Sequence, residues 1–280
     1  MARLQFVAGD LKGARFTLDK TLAERPDYVP AMALLAELDL ASGDLSKAEQ
    51  RAKTLVVRNP ASEVGYRISG DIALARRNYP DAIQSYRAAL DRSSSGADAV
   101  RLSRAHMEAG AAEKGTALLE GWLKTRPDDS LARRALAEGY VRAGDLAAAQ
   151  AAYEILLQGS PEDVTLLNNY ANVLLRRSDA RALEVAQKAF KLAPSDASVQ
   201  DTVGWILVQR GELESGIRHL RDARLRAPND PDIRFHLAAA LAKAGRPNEA
   251  RQELEAALKT TAPFESSARA RELAATLGRL

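Results

Sequence analysis

Residues 131–161 read LARRALAEGYVRAGDLAAAQAAYEILLQGSP. Leu136, Ala137 and Tyr140 lie at helical spacing in a run that stops at Gly144, and Ala149 and Tyr153 mark a second run closed by Pro161. Apolar residues three and four apart predict amphipathic helices rather than strands. Glycine has no Cβ and enters the left-handed conformation that ends a helix, and Asp145 behind it can accept the free N–H groups of the next one. A residue as small as Ala149 lets two helices cross closely. The stretch therefore encodes helix, tight turn, helix.

The same events recur along the whole chain. The prolines that follow an amphipathic run stand at Pro26, Pro60, Pro127, Pro161, Pro194 and Pro228, spaced by 34, 67, 34, 33 and 34 residues, with Ser94 in the proline's place inside the double gap. Twelve residues before each stands a small side chain, at Ala14, Ala48, Ala82, Gly115, Ala149, Ala182 and Gly216, and Ala250 holds that place in the last copy. Glycines precede most of these by five, at Gly9, Gly43, Gly110, Gly144, Gly211 and Gly245. Asp10, Asp44 and Asp145 are placed to cap second helices, and Asp129, Asp163, Asp196 and Asp230 to cap first helices, with Pro231 at a first helical position where its missing N–H costs nothing. Two turns depart from the rule. RRSDA at 176–180 lacks the glycine and is one residue short, and Arg77-Asn78 stand where Asn78 is expected to take the left-handed conformation. Self-similarity at this period predicts stacked helical hairpins, each covering its neighbour's apolar side.

With Tyr66, Gly70, Ala82, Tyr86 and Ala89 in one copy and Leu136, Ala137, Tyr140, Gly144, Ala149, Tyr153 and Pro161 in another, the pattern resembles the tetratricopeptide repeat over essentially all of the chain. The resemblance implies an all-α fold, a right-handed superhelical solenoid of antiparallel helix pairs. The expected organisation is a single array over 1–280: a truncated repeat at 1–28, seven full repeats over 29–264, and a C-terminal capping helix at 265–280. In that last segment Phe264, Ala268, Leu273 and Leu277 are expected to share one stripe. Met1 falls at the seventh position of a first helix. The chain is therefore expected to be the C-terminal part of a longer repeat protein.

Composition narrows the chemistry. The 280 residues are 46% hydrophobic and 28% charged, with a net charge of +3 and both signs interspersed, so nucleic acid is not an expected partner. No apolar run is long enough for membrane insertion, and MARLQFVAGD lacks the pattern of a signal peptide. Zero cysteines exclude disulfides, thiolate metal sites and cysteine nucleophiles, and leave the compartment open. His106, His219 and His236 lie on separate helices without metal-ligand spacing and read as structural or surface residues. In Gly110-Ala-Ala-Glu-Lys-Gly-Thr116 the lysine precedes the glycine, the wrong order for a phosphate loop. No catalytic residue, metal or cofactor is expected.

What remains is surface. In the resembling family the first helix of each repeat lines the concave side. Carrying those offsets over gives Glu37, Arg67, Asp71, Arg104, Arg134, Glu138, Arg142, Asn168, Asn172, Arg176, Asp201, Trp205 and Phe235. Asn168 and Asn172 share one helix face, where amides can hold an extended peptide backbone or simply be solvated. Arg134, Arg142 and Arg176 can receive carboxylates, with Glu138 an alternative partner on the same helix. Trp205 suits an interface anchor, with Phe235 extending its apolar patch, or fills a gap between helices; Trp122 reads as core.

The C-terminal third, with DTVGWILVQRGE at 201–212, resembles exported tetratricopeptide lipoproteins associated with exosortase (PEP-CTERM) sorting and exopolysaccharide production. That resemblance implies a non-enzymatic scaffold of a bacterial envelope assembly, periplasmic if exported and cytoplasmic otherwise. Two alternatives stand beside it: the recognition or regulatory arm of a larger enzyme or polysaccharide exporter, and a cytosolic chaperone cofactor. The second is disfavoured because the paired lysines of the family's chaperone-tail clamp are missing.

Overall fold

The computed structural model describes residues 1–260 and 264–278. The expected boundary of the last repeat thus runs through 261–263, outside the described residues, as do Arg279 and Leu280 of the expected capping helix. The described residues form seventeen α-helices and no strand, and the chain divides into two compact units, Met1–Gly144 and Asp145–Leu280.

The first unit contains α1 (Ala2–Val7), α2 (Leu11–Glu24), α3 (Val29–Ala41), α4 (Leu45–Arg58), α5 (Glu63–Ala75), α6 (Tyr79–Ser93), α7 (Gly96–Glu108), α8 (Ala112–Thr125) and α9 (Ser130–Ala143). Successive helices pack as pairs, and α3 also touches α5, and α7 touches α9, so the first helices of neighbouring pairs lie side by side. The second unit contains α10 (Leu146–Gly159), α11 (Val164–Arg176), α12 (Ala182–Leu192), α13 (Ala197–Gln209), α14 (Leu213–Arg226), α15 (Pro231–Lys243), α16 (Pro247–Leu258) and α17 (Ser267–Leu277). There α11, α13, α15 and α17 form the corresponding row of neighbours.

Local signals set these boundaries. The carboxylates of Asp10, Asp44 and Asp145 accept from backbone N–H groups three residues on, and Asp129, Asp163, Asp196 and Asp230 do the same for first helices. All six turn glycines have φ between 72° and 86°. At the Arg77-Asn78 turn it is Arg77, with φ 57°, that takes the left-handed conformation, not Asn78. Asn78 is spent as a cap, its side chain accepting from the Asp81 N–H, which requires φ −86° at Asn78. In the short RRSDA turn Ser178 takes φ 57° and the missing residue shortens the next helix, so that α12 starts at Ala182 and has only 11 residues. Where Ser94 replaces proline, it ends α6 in the left-handed conformation and Ser95 caps α7 directly.

The small residues stand where helices cross. Ala14, Ala48, Ala82, Ala149 and Ala250 are 0% exposed. The approach is close between α13 and α14: a Cβ on Gly216 would lie 2.5 Å from Val208 Cγ2 and 2.8 Å from the Gly204 carbonyl oxygen. Backbone there lies on backbone. Around these crossings Leu55, Ile68, Leu102 and Leu119 fill the first unit and Leu174, Ile206, Ile217 and Leu220 the second, each worth about 1.5–3 kcal/mol of burial. On α17 Leu277 and Ala270 are buried and Leu273 partly so, as is Phe264 just before the helix, whereas Ala268 is exposed. The stripe therefore runs through Ala270, three and seven residues from its apolar neighbours, rather than through Ala268.

Candidate functional site

In Met1–Gly144 four of the residues expected to border the groove meet partners from the chain itself. Glu37 accepts from Arg3 at 3.1 Å, Arg67 lies 3.8 Å from Glu63, and Arg104 donates to Glu108 at 2.6 Å. Asp71 accepts from the Tyr86 hydroxyl at 2.7 Å, and burial raises its carboxyl above the usual range despite that bond. The strongest such arrangement is Asp39 on α3, 0% exposed, between Arg15 of α2 at 2.5 Å and Arg51 of α4 at 2.6 Å. On α9, Arg134 is half-buried while Glu138 and Arg142 are exposed. Trp122 is half-buried, donating to Asp129 at 2.8 Å beneath the Arg126 guanidinium.

In Asp145–Leu280 the expected residues fall into two groups. Asn168 is buried, its Oδ1 without a hydrogen-bond partner, and Asn172 donates to the Asn168 carbonyl at 3.2 Å and to the Thr202 hydroxyl at 3.1 Å. The Asn172 amide is thereby turned into the α11–α13 contact. Arg176, one turn further on, is exposed.

Asp201, Trp205 and Phe235 come together. The His236 Nδ1 lies 2.8 Å from Asp201 Oδ2, and its ring stacks on the Trp205 indole at 4.5 Å between centroids and 17° between planes. Phe235, 4% exposed, packs beneath at 6.4 Å from the indole. The Arg269 guanidinium of α17 lies over the Phe235 ring at 5.0 Å, and Lys243 Nζ is 5.9 Å from the indole centre. Phe235 therefore supports the patch from inside, and the half-buried Trp205 presents it. A carboxylate holding an imidazole flat against an indole fixes the ring's orientation before any ligand arrives.

The indole borders a cavity of about 490 Å³, whose walls include Leu183, Ile206, Arg176, Arg210, Arg269 and Asp179. The Asp179 carboxylate is already committed: it accepts from Arg181 Nη2 at 2.7 Å and from the Arg181 backbone N–H at 2.9 Å, which holds its pKa at about 2. Among the described residues no group of three or more acidic, histidine or cysteine side chains is placed to hold a metal ion, and no helix is long and apolar enough to cross a membrane. Sequence reasoning missed His236, Arg210 and Arg269. The signal for His236 was present, since residues about one period apart meet across neighbouring first helices: His236 with Asp201 at a separation of 35, Arg3 with Glu37 at 34, Asn172 with Thr202 at 30. Arg269 obeys the same offset, 34 residues beyond the Phe235 ring that it covers, but it comes from the end helix, outside the repeats as they were expected.

Sequence profiles of the tetratricopeptide repeat match residues 6–66, 73–139 and 207–277, and a further profile of the same repeat matches 134–197. The chain belongs to the tetratricopeptide-repeat family. A tetratricopeptide repeat-containing protein of Pseudomonas aeruginosa is 28% identical over 230 residues, covering 80% of this chain. The chain spans about a third of that relative's length, 35%. Among solved structures, a chain of the APC/C hetero-tetramer Cut9–Hcn1 matches with a TM-score of 0.66 and 18% identity over 99% of this chain and 54% of its own. YrrB, described as a tetratricopeptide protein with an unusual peptide-binding site, matches at 0.50 and 17% identity over 71% of this chain and 100% of its own. These likenesses establish the tetratricopeptide fold, all-α and without strands among the described residues.

Proposed function

We propose that this tetratricopeptide chain is a non-enzymatic scaffold that holds a segment of a partner protein against the row of first helices, as part of a bacterial envelope assembly for exopolysaccharide production or protein sorting. The observation that carries the binding reading is Trp205, half-buried and pinned by His236 beside a cavity lined by guanidiniums. Trp and Arg at the edge of a desolvated pocket are the residue types that dominate measured binding energies. Repeat arrays suit this role because each hairpin adds surface without needing a new core. The envelope reading is supported by the phrase DTVGWILVQRGE and its surroundings, through their resemblance to exported lipoproteins.

A photo-cross-linking residue placed singly at Arg142 or Gln209 on first helices, and at Arg218 on the second helix α14, tests this in envelope extract. The expected result is one envelope protein joined at Gln209 and absent at Arg218. Adducts at Arg218 alone would contradict the reading.

A further inference from the structure

We infer that the cavity beside Trp205 receives an acidic side chain from the interior of the partner segment, with a neighbouring apolar side chain laid against the indole. This rests on the segment-binding reading above and gives it a chemistry. Three guanidiniums, those of Arg176, Arg210 and Arg269, border one cavity. The one carboxylate in the same wall, Asp179, is neutralised by Arg181 from outside the cavity lining. Arg210 has a loose neighbour in Glu212 at 3.4 Å, both half-exposed. Among the described residues Arg176 and Arg269 have no carboxylate within ion-pair distance; Arg269 instead donates to the Ser266 hydroxyl at 2.8 Å and rests on Phe235.

In the first unit the enclosed charge of Asp39 meets opposite charges of the chain itself, those of Arg15 and Arg51. Here cation is left over beside an apolar wall of Trp205, Ile206 and Leu183. A guanidinium holds a carboxylate through parallel N–H donors, and the interaction strengthens where water is thinned by apolar neighbours. A volume of about 490 Å³ admits one or two side chains and not a helix, whose diameter with side chains is about 10 Å. The acid is assigned to a side chain within the segment because a cavity of this volume takes the side chain while the segment's backbone stays outside it, which needs no chain end.

Selection of random twelve-residue peptides, acetylated and amidated at their ends, on the intact chain tests this. A parallel library with free C-terminal acids forms the second arm. The blocked library is expected to yield sequences with Asp or Glu next to Leu, Ile, Phe or Trp. Their affinity, read by fluorescence polarisation, is expected to fall about tenfold on Glu→Gln in the peptide and about tenfold in Arg176→Gln and in Arg269→Gln. Circular dichroism confirms that both variants fold. Neutral or basic winners, acidic winners indifferent to both arginine changes, or winners confined to the free-acid arm would overturn the inference. Peptides that bind but cross-link at Arg142 rather than at Gln209 would overturn it while leaving the groove reading intact; retention of no peptide in either arm would count against both.

Discussion

Asp39 in the first unit and Trp205 in the second both sit on the first helix of a pair, and their surroundings treat them in opposite ways. Asp39 is wholly enclosed and both of its oxygens are taken by arginines from flanking helices. Trp205 is held on one side by His236 and Phe235 and borders the cavity on the other, near Arg176 and Arg269, neither of which has a carboxylate within ion-pair distance among the described residues. The contrast separates two uses of polar chemistry in one repeat scaffold. Where the chain satisfies its own charges, the residues contribute stability; where it leaves cation and aromatic surface unsatisfied, the residues are available to a ligand. Each unit carries one tryptophan, Trp122 and Trp205, and the second borders the cavity described above.

The largest expected effect breaks the first half of that contrast. Asp39→Asn removes the buried charge between Arg15 and Arg51, and is expected to cost about 3 kcal/mol, since removing one partner of a buried ion pair leaves the other uncompensated. Hydrogen exchange should report it locally, with amides of α2 to α4 exchanging roughly a hundredfold faster and those of α13 to α15 nearly unchanged. Equal acceleration in both units would mean that Asp39 is not a local staple.

Next comes Gly216→Ala in the second unit. Ala149 and Ala250 occupy the same place in their own hairpins, but a Cβ at Gly216 meets Val208 and the Gly204 carbonyl below 3.0 Å. Expected destabilisation in urea is about 2 kcal/mol, typical of overpacking. A neutral outcome would show that α13 and α14 can part without loss. Asp230→Ala is smaller still. It deletes the acceptor for the Asp232 and Ile233 N–H groups at the start of α15, and should cost about 1 kcal/mol in the same assay.

The smallest effect concerns acid. Asp179 has its pKa held down to about 2 by Arg181, so its contribution to the turn before α12 is complete above the unfolded carboxylate value of about 3.9 and is lost as pH falls toward 2. The carboxyl carbon-13 shift of Asp179 should therefore titrate near 2. A midpoint near the ordinary value would mean that the Arg181 pairing is absent in solution.

Most of the fold was legible because each boundary is encoded locally. Turn glycines, capping aspartates and crossing alanines act through contacts with residues a few positions away or through their own backbone, and the period repeats the message. The two turns without glycine were harder, since Arg77 and Ser178 are driven into the left-handed conformation by the capping demand of the following residues rather than by their own preference. The candidate site was legible in part. Trp205 and Phe235 stood out by type and offset, whereas His236 and Arg269 matter only through contacts between hairpins, which no single repeat contains. Asn172 shows the same limit from the other side: an amide on a helix face reads as a ligand contact until the neighbouring helix supplies Thr202.

The central claim is that Trp205 anchors a partner segment, and capture by two single-tryptophan truncations tests it most directly. The partner recovered by cross-linking at Gln209 should bind Trp205→Ala about thirtyfold more weakly or worse, and Trp122→Ala within about twofold of the unaltered chain, as expected when one aromatic residue of an interface dominates. Equal loss in both variants, or full capture by Trp205→Ala together with a large drop in its stability, would place the indole among the packing residues and contradict the account.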